Sequence, residues 1–124
     1  MKKYCTIFCD IDGTLFEYRK FETYMNTKPQ VITSTVNSIN KAFDEGHHIV
    51  MTTARPEYLR EHTIKELKET NINYHKLVME IGRGTRILIN DKENPLIDRA
   101  YGVNVVRNKG FDDKQQKLFD DILY

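Results

Sequence analysis

The stretch TIFCDIDGTLF, residues 6–16, carries the strongest structural signal in the chain. Its first residues are apolar or β-branched and predict a buried strand from about Tyr4 to Cys9. This strand runs directly into two aspartates one residue apart, Asp10 and Asp12. Side chains two positions apart on an extended chain project the same way. Both carboxylates are therefore expected in one crevice at the carboxyl end of the strand.

Two like charges so close together are unfavourable unless a proton or a cation lies between them. An Mg²⁺ ion or a shared proton would relieve the repulsion between Asp10 and Asp12. Gly13 allows the chain to turn sharply and exposes backbone amides to an anion. The same Asp-x-Asp-Gly pattern also begins surface turns and calcium-binding loops. The buried strand upstream argues against a plain surface turn, and the residues after Gly13 lack the further oxygen ligands of a calcium loop.

The composition restricts the class of protein. With 124 residues, 40% hydrophobic and 30% charged, the chain is expected to form one soluble globular domain over residues 1–124. The formal net charge of +1 disfavours a nucleic-acid partner, because binding along phosphates needs clustered Lys and Arg. No apolar run approaches the roughly 20 residues that cross a bilayer, so we expect a cytoplasmic protein with no membrane partner. Cys5 and Cys9 are then buried, reduced thiols.

Apolar runs alternate with helical periodicity along the chain. This alternation predicts an α/β, three-layer Rossmann-like fold, in which helices cover both faces of a central parallel sheet. Five strands are expected, and those after the first are HIVMT, KLVM, RILI and VNVV, at 48–52, 76–79, 86–89 and 103–106. Ligands of such sheets bind beyond the carboxyl ends of the strands.

Four helical segments are expected between and after these strands. They cover about 28–44, a stretch opened by Pro56, a brief turn from Asn94-Pro95, and the last residues of the chain. Capping boxes are expected at the first and the last of these helices, formed by Thr27 with Gln30 and by Asp112 with Gln115. The segment KELKE, residues 65–69, reads as a solvated helix face, and the tyrosines read as core and rim residues.

The stretch FCDIDGTLF, residues 8–16, resembles the first motif of the haloacid-dehalogenase-like (HAD) superfamily of phosphohydrolases. The resemblance implies that Asp10 is the catalytic nucleophile and that Asp12 is the general acid for the leaving group, then the base for water. It also implies that Mg²⁺ binds the Asp10 carboxylate and the main-chain carbonyl of Asp12. The residue types suit this chemistry, because a carboxylate is ionised at neutral pH and a metal offsets its repulsion of a phosphate.

The stretch HIVMTTARPE, residues 48–57, resembles the second motif of the same superfamily, a Thr or Ser after a hydrophobic strand. The resemblance implies that the Thr53 hydroxyl binds a phosphoryl oxygen. Arg55 is expected to orient this loop or to contact the phosphate of the substrate. A strand that leads into a helix N-terminus favours anions. The same residues also fit a plain helix-capping turn.

The stretch RILINDKENP, residues 86–95, resembles the acidic motif that completes the Mg²⁺ site of the superfamily. Most members carry two acids here, and Asn90 replaces one of an adjacent pair. Asp91 is therefore the expected metal ligand, directly or through water. The alternative is an ordinary aspartate between a strand and a loop.

The third motif of the superfamily supplies a lysine that neutralises the nucleophile and the phosphate. The corresponding segment, LVMEIGRGTR at residues 77–86, has no lysine. Arg83 is the expected substitute, because an arginine neutralises the same charges and its flanking glycines let it reach inward. The alternatives are Arg86, Lys76 and Lys92.

The spacing between these motifs leaves no room for an inserted cap domain, so the resemblance implies a minimal, capless phosphatase. An open site accepts a phosphorylated small molecule or a larger phosphorylated substrate, or gains a lid from another subunit of a homo-oligomer. The segments YHKLVM and INDK also resemble small phosphatases of capsule and sugar-phosphate pathways and, more loosely, the phosphatase halves of polynucleotide end-processing enzymes. The expected activity is Mg²⁺-dependent hydrolysis of a sugar phosphate or other phosphometabolite. The missing lysine and Asn90 leave open a non-catalytic module that binds a phospho-ligand or a partner.

Overall fold

The structure, a computed structural model, describes residues 4–124. Its regular elements, in chain order, are β1 (Thr6–Asp10), α1 (Thr33–Asp44), β2 (His48–Thr52), α2 (Arg60–Glu69), β3 (Lys76–Val78) and α3 (Asp113–Leu123). Two short 3₁₀ helices, Phe21–Thr23 and Glu57–Leu59, lie in the connections. Within residues 4–124, no helix has the length and apolar character needed to cross a membrane.

The three strands form one parallel sheet with β2 in the middle. The register places Asp10 beside Thr52 and Thr52 beside Val78, so all three strands end at the same edge. The α/β class and the parallel sheet predicted from the sequence are confirmed. Because a ligand of such a sheet binds at the carboxyl ends of its strands, this edge is where the site is expected.

The prediction of a five-stranded sheet is wrong for the described residues, which contain three strands. The RILI and VNVV segments have no regular secondary structure, and Ile87 and Ile89 are 83% and 91% exposed. The brief helix predicted from Asn94-Pro95 is also wrong, because turns occupy that stretch. A short apolar run becomes a strand only where a neighbouring strand edge pairs with it, and the run by itself does not specify that pairing.

The helix ends show where local capping signals succeed and where they fail. At α3 the predicted capping box is confirmed: Asp112 Oδ1 accepts from the Gln115 N–H at 2.8 Å, and Gln115 Oε1 accepts from the Asp112 N–H at 3.0 Å. The box predicted at Thr27 is wrong, because α1 begins only at Thr33. The Thr27 hydroxyl instead donates to the Thr23 carbonyl at 2.8 Å, inside a loop that precedes the helix.

The core lies directly beneath the turn that follows β1. Ile11, Leu15 and Phe16 are fully buried, and they pack with apolar residues of the sheet and of all three helices, including Ile39, Met51, Leu67 and Leu123. The burial of Ile11 directs its two sequence neighbours, Asp10 and Asp12, away from the core. The sheet and the core together therefore hold both carboxylates at the open edge.

Candidate active site

The turn after β1 places two carboxylates at the carboxyl edge of the sheet. Asp10 is the last residue of β1, and the buried Ile11 separates it from Asp12. Gly13 has a φ of +88°, a conformation that residues with side chains rarely adopt. The Thr14 hydroxyl donates a hydrogen bond of 3.0 Å to Oδ2 of Asp10. The Asp-x-Asp-Gly-Thr motif is thus a tight turn whose own threonine orients the first carboxylate.

The charge of Asp10 is only partly compensated by its surroundings. Partial burial raises the pKa of its carboxyl above the usual value, and the nearby charge of Asp12 adds to the rise. The Thr14 hydrogen bond and the charge of Arg86 lower the pKa without cancelling that rise. Asp10 nevertheless remains an exposed residue at the rim. A carboxylate in this state favours the approach of a cation.

The Asp12 carboxylate is held by a buried arginine from the second motif. Arg55 donates from Nε to Asp12 Oδ2 at 2.9 Å and from Nη2 to Asp12 Oδ1 at 2.8 Å. Arg55 is only 3% exposed. The Tyr24 hydroxyl adds a third bond, to Asp12 Oδ2, at 3.1 Å. A two-point arginine–carboxylate pair fixes direction as well as distance, so Asp12 has a defined orientation at the rim.

Glu66 of α2 holds two arginines at once. Its Oε1 accepts from Arg55 Nη1 at 2.8 Å, and its two oxygens accept from Nη1 and Nη2 of Arg19, each at 2.9 Å. The Tyr24 ring lies against both cations, with its centroid 4.3 Å from Cζ of Arg55 and 5.1 Å from Cζ of Arg19. We call these five residues the Glu66 network: Asp12, Arg19, Tyr24, Arg55 and Glu66. The network connects the first motif, the second motif and the loop between β1 and α1.

Burial and pairing shift the pKa of three groups of the network, Glu66, Arg55 and Tyr24. Burial alone raises the pKa of Glu66, but the hydrogen bonds and charges of Arg19 and Arg55 outweigh it and hold the pKa below the usual value. Burial tends to lower the pKa of Arg55, but Asp12 and Glu66 raise it overall. Burial and the Asp12 charge raise the pKa of Tyr24 to about 12. At neutral pH Glu66 and Arg55 are therefore charged and Tyr24 is neutral, so the Tyr24 hydroxyl can donate to Asp12.

Thr53 follows β2 and closes the turn of the second motif. Its Oγ1 accepts a hydrogen bond from the Arg55 N–H at 3.1 Å, and its own N–H donates to the Val78 carbonyl at 3.0 Å. Thr53 is only 2% exposed. Its role in phosphate binding stays a prediction. For Arg55 the geometry matches the loop-orienting alternative, because Nε, Nη1 and Nη2 all donate to protein acceptors; its contact with phosphate stays a prediction.

Asp91 lies apart from the two carboxylates of the first motif. Its side chain is 79% exposed, and its Oδ1 lies 3.4 Å from Nη1 of Arg99. Residues 4–124 contain no group of three or more His, Cys, Asp or Glu side chains that could hold a metal ion. The structure therefore brings Asp10, Asp12 and Thr53 to one edge and does not bring Asp91 to them. The metal-binding roles of Asp10, Asp12 and Asp91 stay predictions.

The basic residues proposed for the third motif are placed differently from one another. Arg83 is exposed between its two glycines. Lys76 begins β3, at the opposite end from the site edge, and Lys92 pairs with Asp98 at 3.0 Å. Arg86 is the one of the four whose charge lowers the pKa of Asp10. The role of Arg83 in place of the lysine stays a prediction, as do the three alternatives.

Several residues at the site were not predicted from the sequence. Glu66 lies within KELKE, which reads as a solvated face, yet it is only 3% exposed. Tyr24 and Arg19 lie in a polar stretch with no periodic pattern. Arg107 packs against the motif turn from a distant loop: its Cγ lies 3.2 Å from where a Cβ on Gly13 would be. No local signal identifies these residues, because each gains its position from contacts far along the chain.

One solved structure has a similar fold. A search of curated proteins gave no match. Among solved structures, a chain of the "Structure of Pnkp1/Rnl/Hen1 complex" superposes with a TM-score of 0.56 at 22% identity, over 67% of this chain. The match spans 30% of that chain, and at this identity it shows similarity of fold. A structural-genomics target from Vibrio cholerae matches with a TM-score of 0.49 at 18% identity, over 98% of this chain and 99% of its own.

The family comparison covers most of the chain. The family described as haloacid dehalogenase-like hydrolase matches residues 7–102, a range that includes the first and second motifs and Asp91. The predicted resemblance is thereby confirmed, and the chain belongs to the haloacid dehalogenase-like hydrolase family.

Proposed function

We propose that this protein is an Mg²⁺-dependent phosphomonoester hydrolase that works through an aspartyl phosphate on Asp10. The observation that carries the proposal is the pair of carboxylates at the end of β1. One of them, Asp10, is exposed and incompletely compensated in charge. The other, Asp12, is held in direction by Arg55. Membership of a hydrolase family supports the reaction class.

The two carboxylates have complementary roles in this reaction. With Asp12 in its protonated form, a carboxylate oxygen of Asp10 attacks phosphorus, the bond from phosphorus to the leaving oxygen breaks, and Asp12 gives that oxygen its proton. Water then attacks the aspartyl phosphate, Asp12 takes a proton from it, and inorganic phosphate leaves while Asp10 is regenerated. Thr53, and Arg83 in place of the absent lysine, are proposed to offset charge on the phosphoryl oxygens, with Arg86 as the alternative. Arg55 acts here through Asp12.

The first motif fits part of a magnesium site. Mg²⁺ prefers oxygen ligands in octahedral geometry and keeps several waters, so it needs few protein donors. The incompletely compensated Asp10 carboxylate would supply one, and the main-chain carbonyl of Asp12 would supply another, because the Asp12 carboxylate is bound by Arg55. Bound Mg²⁺ would offset the repulsion between Asp10 and the substrate phosphate. Asp91, which the structure does not bring to these donors, is proposed as the third ligand, directly or through water, on the family resemblance alone.

We further propose an open, capless site in a cytoplasmic enzyme that acts on a sugar phosphate or another phosphorylated metabolite. Between Thr14 and α1 the described chain holds only the 3₁₀ helix Phe21–Thr23, and between Thr53 and Gly82 it holds Glu57–Leu59, α2 and β3. A larger phosphorylated substrate, or a lid from a second subunit, suits the same open edge.

A screen of substrates tests the function. The purified chain is assayed against p-nitrophenyl phosphate, sugar phosphates, nucleotides and 3′-phosphorylated oligonucleotides, with Mg²⁺ and with EDTA. We expect Mg²⁺-dependent release of phosphate from a small phosphometabolite, with no turnover in Asp10→Asn. Full activity in Asp10→Asn would rule the mechanism out, and preference for the oligonucleotide would select the polynucleotide end phosphatase. Asp91→Asn is expected to weaken the apparent Mg²⁺ affinity roughly 10- to 100-fold.

A second candidate is a non-catalytic module that binds a phospho-ligand or a partner. The observation that favours it is the lack, within the described residues 4–124, of a three-carboxylate group. Asn90 and the missing lysine point the same way. Calorimetric binding of a phosphorylated metabolite, without turnover of any substrate in the screen, would establish it.

A further inference from the structure

The loop between β1 and α1 is attached to the site by side chains. Its base is closed where the Glu17 N–H donates to the Gln30 carbonyl at 2.8 Å, and we call residues 17–30 the 17–30 loop. Of its own elements it has only one 3₁₀ turn, Phe21–Thr23. Its two inward side chains are Arg19, whose side chain is 9% exposed, and Tyr24, which is 6% exposed. Both end in the Glu66 network.

Glu66 is the point where the loop and the catalytic turn meet. One oxygen, Oε1, accepts from both Arg55 and Arg19, at 2.8 and 2.9 Å. Arg55 in turn donates two hydrogen bonds to the Asp12 carboxylate. Arg19 belongs to the loop, and its Nη1 also donates to the Thr27 carbonyl at 3.1 Å. A single buried carboxylate thus sets the position of two cations that serve different segments.

Tyr24 provides a second contact between the 17–30 loop and Asp12. Its ring packs on the guanidinium groups of Arg19 and Arg55, and its hydroxyl donates to Asp12 Oδ2. His62 of α2 contacts the Tyr24 carbonyl at 3.0 Å and thereby ties the same part of the loop to the helix. Asp12 is consequently oriented by one residue of the second motif and by one residue of the loop. Arg55 contacts Glu66 directly, and Tyr24 packs on the two arginines that Glu66 holds.

We propose that Glu66 is a positioning residue for the reaction, which orients Asp12 through Arg55 and fixes the 17–30 loop over the site through Arg19 and Tyr24. This inference rests on the proposed function, because it assigns Glu66 a task relative to the proton-transfer residue. Both oxygens of Glu66 accept from buried arginines and its side chain is 4% exposed, so its contribution is to geometry. A loss of its charge weakens the attachment of Arg19 to α2, loosens the loop and leaves Arg55 with one carboxylate partner.

The experiment compares Glu66→Gln with Glu69→Gln. Glu69 lies on the same helix, but its side chain is 58% exposed and its nearest cation, Lys65, is 3.9 Å away. Turnover of the best substrate is measured below the melting temperature of every variant, with kcat and KM determined separately. In parallel, a protease specific for lysine probes the loop at the exposed Lys20, since Pro29 protects the bond after Lys28.

For Glu66→Gln we expect kcat to fall about 10- to 100-fold, the range for misplaced catalytic groups, with KM changed far less. We also expect faster cleavage at Lys20. Glu69→Gln should match the parent protein in both measurements. If Glu66→Gln does not fold, Arg19→Gln replaces it, because it removes the loop anchor and keeps the pair of Arg55 with Glu66.

Each other outcome has a defined meaning. If Glu66→Gln behaves like Glu69→Gln in both measurements, the inference is overturned while the phosphatase function stands. A fall in kcat without faster loop cleavage, or the reverse, also overturns it, since the proposal couples the two. If the parent protein has no phosphatase activity, the proposed function has failed, and the cleavage assay alone then reports whether Glu66 fixes the loop.

Discussion

Residues 4–80 and residues 81–106 have similar apolar patterns but different structures. The first region contains all three strands and the Glu66 network, and Ile49 and Met51 of β2 are fully buried. The second region contains no helix or strand, and its Ile89 is 91% exposed. An apolar run therefore becomes a strand only where another segment of the chain pairs with it. The proposed nucleophile and acid lie in the first region, whereas Asp91 lies in the second.

The ion pairs of the two regions differ in the same way. In the first region, the side chains of Arg55 and Glu66 are 1% and 4% exposed. In the second region, the pair of Arg99 with Asp91 is 52% and 79% exposed. Exposed pairs contribute about 0–1 kcal/mol, whereas removal of one partner from a buried pair leaves an uncompensated charge and costs about 3–5 kcal/mol. Only the first region has the kind of contacts that hold catalytic groups in place.

The largest expected effect is that of Asp10→Asn on turnover, compared with Asp98→Asn in the second region. We expect the first change to lower kcat by at least about 1,000-fold, as for other removed nucleophiles, and the second to leave it unchanged. The pKa of Asp10 is raised in the folded protein, so its ionisation destabilises the fold as pH rises above the unfolded value. In metal-free buffer at pH 7, Asp10→Asn should therefore raise the melting temperature. A lowered melting temperature would contradict this.

The next effect is on stability, through Arg55→Met and its counterpart Arg99→Met. Loss of Arg55 leaves Asp12 and Glu66 without their shared cation, and we expect a decrease of about 3–5 kcal/mol in the free energy of unfolding. Loss of the exposed Arg99 should change it by less than about 0.5 kcal/mol. Urea unfolding of both variants measures the difference. Equal values would mean that the two regions do not differ in how their ion pairs contribute.

A smaller effect is expected from truncated apolar side chains, Ile49→Ala and Ile89→Ala. Ile49 is fully buried in β2, and its truncation leaves a cavity that costs about 2–5 kcal/mol. Ile89 is exposed, so its truncation should cost less than about 0.5 kcal/mol. Urea unfolding again supplies the measurement. A large cost for Ile89→Ala would show that the second region packs more closely in solution than in this structure.

The smallest expected effect is on the stability of the protein at acidic pH. Because the pKa of Glu66 is lowered in the folded protein, the stability it contributes is complete above the unfolded pKa of about 4.3 and is lost as pH falls through the folded value. The groups facing its carboxylate are Arg19, Arg55 and, with Nε2 at 3.3 Å, His62. The free energy of unfolding, measured in urea at several pH values below 5, should therefore fall less steeply with decreasing pH for Glu66→Gln than for the parent protein. Equal pH dependence in the two proteins would contradict this prediction.

The strands and caps that were predicted correctly depend on local patterns. HIVMT forms β2 over His48–Thr52 as predicted, and Asp112 with Gln115 forms the capping box of α3. RILI has an equally apolar pattern, and Thr27 with Gln30 an equally good capping spacing, yet neither forms the predicted element. In these cases the local preference amounts to about 1 kcal/mol, and tertiary contacts determine the result.

The sequence by itself determined the paired carboxylates of Asp10 and Asp12, because their spacing at the end of a strand is a local property of an extended chain. Only the tertiary structure decided what holds them. Arg55 reaches Asp12 across 43 positions, and Arg19 reaches Glu66 across 47. The packing of sheet, helix and loop buries these charged groups, and buried charges are unfavourable unless they are paired. No local sequence pattern specifies which distant residues form such pairs.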